Sequence, residues 1–227
     1  MRFARLGFFG CLFVLALSGR ANAQLLRVSS VDYALTAFAA VDDVSYSESY
    51  SATGAMPSFS RSAVASIDES DDIDGYNTAY SASSVNVGFV DSGSSAKLTS
   101  GVGAIAEAFN EGRETRSIAS ASMAVDFDIT TQVQANADSS GTYESNLFRW
   151  EGNSWQPFMY GIVGPEQFQM SAGRYRWAGA VGESVSGTSY YSSGIFFTLE
   201  VQAVPEPASL AVVGLGGLAL LRRRRIR

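Results

Sequence analysis

The stretch Ala119-Ser120-Ala121-Ser122-Met123-Ala124-Val125-Asp126-Phe127-Asp128-Ile129-Thr130-Thr131-Gln132-Val133-Gln134-Ala135-Asn136-Ala137-Asp138 decides the fold class. Apart from Thr131 its odd positions are apolar, while its even positions are almost all Ser, Asp, Thr, Gln or Asn. Successive side chains of a strand point to opposite faces, so this pattern describes a ribbon with one buried and one wet face. The 20 residues would span roughly 65 Å if extended, too long for one typical strand. The stretch therefore predicts two strands, or one that bends from one sheet into another near Thr130–Thr131.

The same period continues on both sides. Ile195, Phe197, Leu199, Val201 and Ala203 alternate with Phe196, Thr198, Glu200 and Gln202, beginning after Ser193-Gly194. Tyr175, Trp177, Gly179 and Val181 form another inward set after the Ala172-Gly173 turn. Leu147–Trp150 and Trp155–Ile162 flank Glu151-Gly152-Asn153-Ser154, a hairpin loop, and Pro157 places its strand at an edge or a bulge. Val31–Val41, Phe59–Ile67, Tyr80–Val90 and Lys97–Phe109 also read as strands, and Gly112-Arg113-Glu114-Thr115 reads as a turn. Short alternating segments separated by Gly, Ser and Asn predict an all-β domain, an antiparallel β-sandwich of jelly-roll-like outline.

Both ends depart from this pattern. Residues 1–23 begin with Arg2 and Arg5, continue through an apolar run from Leu6 to Leu17, and finish at Ala21-Asn22-Ala23 before Gln24. That order is a secretory signal peptide cut between Ala23 and Gln24 by signal peptidase. An N-terminal anchor is the alternative, but about 12 apolar residues are too few for a stable span. Cleavage removes Cys11, the one cysteine. At the other end, residues 204–227 hold Pro205-Glu206-Pro207, an apolar run from Ala208 to Leu221 broken only by Ser209, and the cluster Arg222, Arg223, Arg224 and Arg225. As a helix the run is roughly 21 Å long, a short transmembrane segment whose arginines stay on the cytoplasmic side. The two prolines fix φ and hold Glu206 on a rigid segment suited to recognition by a processing enzyme. An ordinary tail anchor is the alternative.

This three-part tail closely resembles the PEP-CTERM sorting signal of Gram-negative bacteria that make exopolysaccharide. The resemblance covers about 24 residues, 204–227, and its three parts agree in order and spacing. It implies transient anchoring in the inner membrane, processing by an exosortase-like membrane enzyme, and delivery to the cell surface or extracellular (biofilm) matrix. The Ser/Thr/Asn-rich composition and Gly173-Arg174-Tyr175 loosely resemble other exported proteins of this kind.

Residues 24–203 remain as the sandwich domain, with eight basic residues against 21 acidic ones, a formal charge of −13 where the whole chain has −6. A domain this acidic does not bind nucleic acid or anionic lipid by bulk electrostatics. The chain has no histidine, which removes Ser-His-Asp and Cys-His catalysis and imidazole zinc sites. No glycine-rich phosphate loop, metalloprotease motif or nucleophile elbow is present.

Three constellations stand out. Trp150 and Trp155 bracket the hairpin loop and offer flat apolar faces to sugar rings; Arg149 beside Trp150, and Arg174 with Arg176 on the face opposite Tyr175, could contact acidic sugars or, as lone charges, keep an acidic domain soluble. Trp177, at an inward position, is expected in the core. In Asp68-Glu69-Ser70-Asp71-Asp72-Ile73-Asp74-Gly75, the residues Asp72, Asp74 and Gly75 fit positions three, five and six of a calcium loop. Ser70 and Ser81 then stand where that loop needs Asp and a bidentate Glu, so the reading favours a solvated acidic loop and no cofactor. Asp126 and Asp128 share one strand face about 7 Å apart, compatible with glycosidase chemistry, but their Ser and Gln neighbours suggest an open wet face. The expected function is a non-catalytic exported surface or matrix protein, structural or weakly binding exopolysaccharide. The alternatives are a polysaccharide-processing enzyme using paired carboxylates and a calcium-assisted adhesion module.

Overall fold

The computed structural model describes residues 24–55, 58–71, 75–143 and 145–204. The proposed leader and tail helices, with Pro205-Glu206-Pro207 and Arg222–Arg225, lie outside the described residues.

Within them the chain is all strand and turn, in two antiparallel six-stranded sheets. The strands are β1 (Leu26–Val41), β2 (Val44–Gly54), β3 (Phe59–Asp71), β4 (Gly75–Asp91), β5 (Ser95–Phe109), β6 (Thr115–Ile129), β7 (Val133–Gly141), β8 (Ser145–Glu151), β9 (Ser154–Ile162), β10 (Glu166–Met170), β11 (Gly173–Ser186) and β12 (Ser189–Ala203). One sheet has the order β2-β1-β6-β11-β8-β9, the other β10-β7-β12-β5-β4-β3. From β5 onward the first strand pairs the last and the second pairs the penultimate, the rolled order of a jelly roll. The hairpins β1–β2 and β3–β4 widen each sheet at the same side.

The Ala119–Asp138 stretch breaks where expected: β6 ends at Ile129 in one sheet and β7 begins at Val133 in the other. Pro157 lies on β9, an edge strand with an irregular register against β8. Two strands escape the sequence reading. In β2 every residue is exposed or half-buried, so no apolar set marks it, and β10 has only five residues. The last strand also begins earlier than Ser193-Gly194 suggests, because Ser189 to Ser193 already pair with β5.

The interior is uneven. Toward the end where β12 finishes it holds Trp177, Tyr175, Phe127, Phe197, Leu98 and Leu199. Toward the opposite end it is built from Ala37, Ala39, Ala65, Ala79, Ala106 and Ala119, with the buried Ser81 and Ser117 among them. Interiors pack to near-crystalline density, so small side chains draw the two sheets together and large ones hold them apart. At the wide end Trp177 stacks on Phe197 of the opposite sheet, with centroids 5.6 Å apart and planes at 15°. Gly179 makes room for this, since a Cβ there would lie 2.9 Å from the indole ring.

On the side where β2 and β3 end the sheets, the Glu48 carboxylate accepts the Val64 backbone N–H at 2.7 Å and the Tyr50 hydroxyl. The Tyr50 hydroxyl, then the Val64 N–H, hold the Glu48 carboxyl below its ordinary range. An inward-reaching charge of this kind blocks pairing with another strand.

Trp177 is fully buried, yet its indole N–H has no hydrogen-bond partner among the described residues. Replacing Trp177 by Ala is expected to cost about 3–5 kcal/mol of unfolding free energy. Trp177→Phe is expected to cost much less, because it keeps the stack and removes the unsatisfied donor. Chemical denaturation of the two variants checks the order.

Candidate functional site

Outward residues of the β1-containing sheet fall into rows, because antiparallel partners stand side by side. One row runs Ser30, Asp126, Arg176 and Phe148, the next Thr53, Asp32, Ala124, Ala178 and Asn146, and a third Ser51, Ala34, Ser122 and Ala180. Between Phe148 and β2 the outward side chains are small, and they form the floor of a trough of about 710 Å³. The floor is Ala34, Ala124, Ala178 and Ala180, with Asp32 and Asn146 supplying polar groups. Crossing five strands, it is about 19 Å long at the usual strand spacing. Phe148 forms one wall, packed edge-on by Tyr160 of β9 at 6.2 Å, and Tyr160 is 66% exposed. One oxygen of Asp32 has no hydrogen-bond partner among the described residues.

Along one side of the trough stands a charged cluster. Asp126 points outward yet is only 1% exposed, because two arginines cover it. Arg176 donates to its two oxygens at 2.5 and 3.0 Å, and Arg174 donates at 2.7 Å. The hydrogen bonds to Asp126 raise the Arg176 guanidinium above its ordinary value, against the opposing effect of burial. The guanidinium carbons of Arg176 and Arg174 lie 4.5 and 5.4 Å from the centre of the Trp155 ring. Trp150 meets Trp155 edge-on at 5.1 Å. The two indoles sit opposite each other on β8 and β9, across a two-residue turn whose first member, Gly152, has φ 63°. Glycine takes that backbone without strain.

Several expectations change here. Asp126 does not lie on an open wet face, since it is buried and both its oxygens are engaged by guanidinium groups, whereas Asp128 is half-buried. Arg174 and Arg176 are not lone charges but the partners of that carboxylate. Trp155 does not present a bare platform, since Arg176 and Arg174 cover it, whereas Trp150 is 39% exposed. Trp177 is core, as expected. Ser70 and Asp71 pair with Tyr76 and Gly75, and Ser81, which the calcium-loop reading placed at its twelfth position, is a buried residue of β4. Asp72 and Asp74 lie outside the described residues, and the Glu69 carboxylate accepts from Arg113 in an ion pair at 2.5 Å.

Phe148, Asp32, Asn146 and Tyr160 escaped the sequence reading. Their signal was the run of small outward residues on β6 and β11, Ser122, Ala124, Ala178 and Ala180, which marks a floor only once the register places them side by side.

The described residues thus form a two-sheet domain with a shallow outer trough, and they end at Val204. Residues 203–225 match the PEP-CTERM protein-sorting motif, so the chain carries the signal for transient membrane anchoring and processing by an exosortase-like enzyme. No curated protein and no solved structure matches the chain.

Arg176→Ala is expected to destabilise the protein by about 3 kcal/mol, because it strips a buried carboxylate of its best partner. Asp126→Asn should cost less, since the freed guanidiniums, both partly exposed, can turn to water. Urea denaturation of both variants tests the asymmetry.

Proposed function

We propose that this is a non-catalytic surface or matrix protein that binds an extended, neutral polysaccharide in the trough over β2, β1, β6, β11 and β8. The observation that carries the reading is the small-residue floor walled by Phe148, with Asp32 and Asn146 beside it. An apolar ring face suits the C–H face of a sugar, and polar groups at the sides serve its hydroxyls. Neutrality of the ligand follows from charge: Arg174 and Arg176 are bound to Asp126, and the domain's formal charge of −13 repels a polyanion. The engagement of Asp126 by two arginines argues against its use as a catalytic acid or base. The source is a Gram-negative bacterium, with the leader removed at Ala23–Gln24 and the exopolysaccharide of the host as the partner.

Retention of the exported protein on the host's neutral exopolysaccharide is the direct test. Phe148→Ala should weaken it about tenfold, the equivalent of ~1.4 kcal/mol. Ala178→Trp, which fills the floor, should abolish it while leaving the melting temperature near that of the wild type. An unretained wild-type protein would leave a purely structural role. Independently, the intact mass of the surface protein should lack residues 208–227, and finding that tail on released material would refute processing.

A further inference from the structure

The two ends of the domain leave it at one pole. The Leu25 N–H is bonded to the Asp91 carboxylate at 3.2 Å, and Thr130 donates to the Gln24 carbonyl at 2.6 Å. At the other terminus the Ala203 N–H is bonded to the Ser94 carbonyl at 3.3 Å. Asp91, Ala96 and Val201 stand side by side on β4, β5 and β12. The β8–β9 turn is at this pole too, because Arg149 pairs with Tyr175, which pairs with Phe127.

Charge is divided between the poles. Within four residues of the strand ends at the exit pole lie six basic residues, Arg27, Arg61, Lys97, Arg149, Arg174 and Arg176, and six acidic ones, Asp91, Asp126, Asp128, Glu151, Glu166 and Glu200. The described turn residues there are Ser, Thr, Gly, Gln, Asn and Ala. Around the far pole the described residues include Asp42, Asp43, Asp68, Glu69, Glu107, Glu111, Glu114 and Glu183 against Arg113 and Arg116. These far-pole residues are strongly acidic in sum, whereas the exit pole is balanced.

Only residues 204–207 separate the last paired residue, Ala203, from the apolar run that begins at Ala208. Fully extended, four residues span at most about 14 Å. We propose that the exit pole is a membrane-contacting surface that stands on an anionic bilayer while the tail is anchored, with the acidic pole directed away. The balanced pole is held within little more than one Debye length of the headgroups, ~10 Å at 0.1 M salt. Strands of 16 residues, such as β1, place the acidic pole about 50 Å further out, where repulsion is screened. Arg27 and Lys97 are both exposed at the near pole, Lys97 in an exposed ion pair with Glu200 at 2.7 Å. Tilting the domain brings acid toward lipid and is opposed.

The test uses the full chain in a Cys11→Ser background, anchored by its own tail in phosphatidylethanolamine–phosphatidylglycerol vesicles. A fluorophore is placed at Asn153→Cys in the β8–β9 turn or at Asp43→Cys in the β1–β2 turn, both exposed. Quenching by headgroup-labelled lipid should be several-fold stronger at residue 153 than at residue 43. The pair Arg27→Glu and Lys97→Glu should reduce that difference, as should high salt. Equal quenching at the two positions, or a difference that appears only when a processing enzyme is added to the vesicles, would overturn the proposal. A difference unchanged by the charge reversals and by phosphatidylcholine in place of phosphatidylglycerol would also overturn it.

Discussion

The face-to-face stack of Trp177 on Phe197 joins the middle of one sheet to the middle of the other. β11 separates β6 from β8, and β12 separates β5 from β7, so neither sheet is continuous without these two strands. Stacking therefore does more than fill space. It sets the separation of the sheets at the wide end, while alanine and serine permit closer approach at the other. The tapered interior positions the outer surfaces as well, because the residues that flank Trp177 on β11, Arg176 and Ala178, are parts of the charged cluster and the trough floor.

Outside the core, polar chemistry is organised by pairing rather than by exposure. Asp126 shows this most clearly. Placed on the solvent side of β6, it is nevertheless buried, since Arg176 stands directly beside it and Arg174 one step along the same face. The guanidiniums in turn cover Trp155, so carboxylate, arginine and indole form layers. At the far pole Arg113 has a comparable role, bonding Glu69 and approaching Asp42, which ties the β1–β2 turn and β3 to the β5–β6 connection. Asp42, with φ 49°, is the one described non-glycine residue in the left-handed region, and its carboxylate accepts the Glu114 N–H at 2.9 Å. Asp tolerates that backbone better than most residues because its side chain bonds locally.

Much of the fold was legible because buried strands carry their own period. The sheet switch after Ile129, the edge position of Pro157 and the burial of Trp177 follow from alternation and proline chemistry alone. β2 was invisible for the same reason: Val44–Gly54 has no buried face, and its strand state depends on β1 beside it. The candidate site lies mostly in what periodicity cannot supply, the register between strands distant in the chain. Ala124 and Ala178 are ordinary small residues until β6 and β11 place them adjacent. Asp126 looked wet because its chain neighbours are polar, whereas its burial comes from arginines about 50 residues away. Trp150 and Trp155 were identified as a pair by their hairpin, but the cover over one of them was not.

The central position of β12 also has a bearing on time. A chain made from its N-terminus can form the hairpins β1–β2 and β3–β4 early, since their partners are local. β12 is made last and belongs between β5 and β7. Until Ser189–Ala203 arrives, those two strands present unpaired edges and the Trp177 ring lacks its Phe197 neighbour. Pairings this distant in sequence form slowly. The domain is thus completed by the residues that immediately precede its sorting motif, and a chain truncated before β12 leaves a gap in the middle of a sheet rather than a shortened edge.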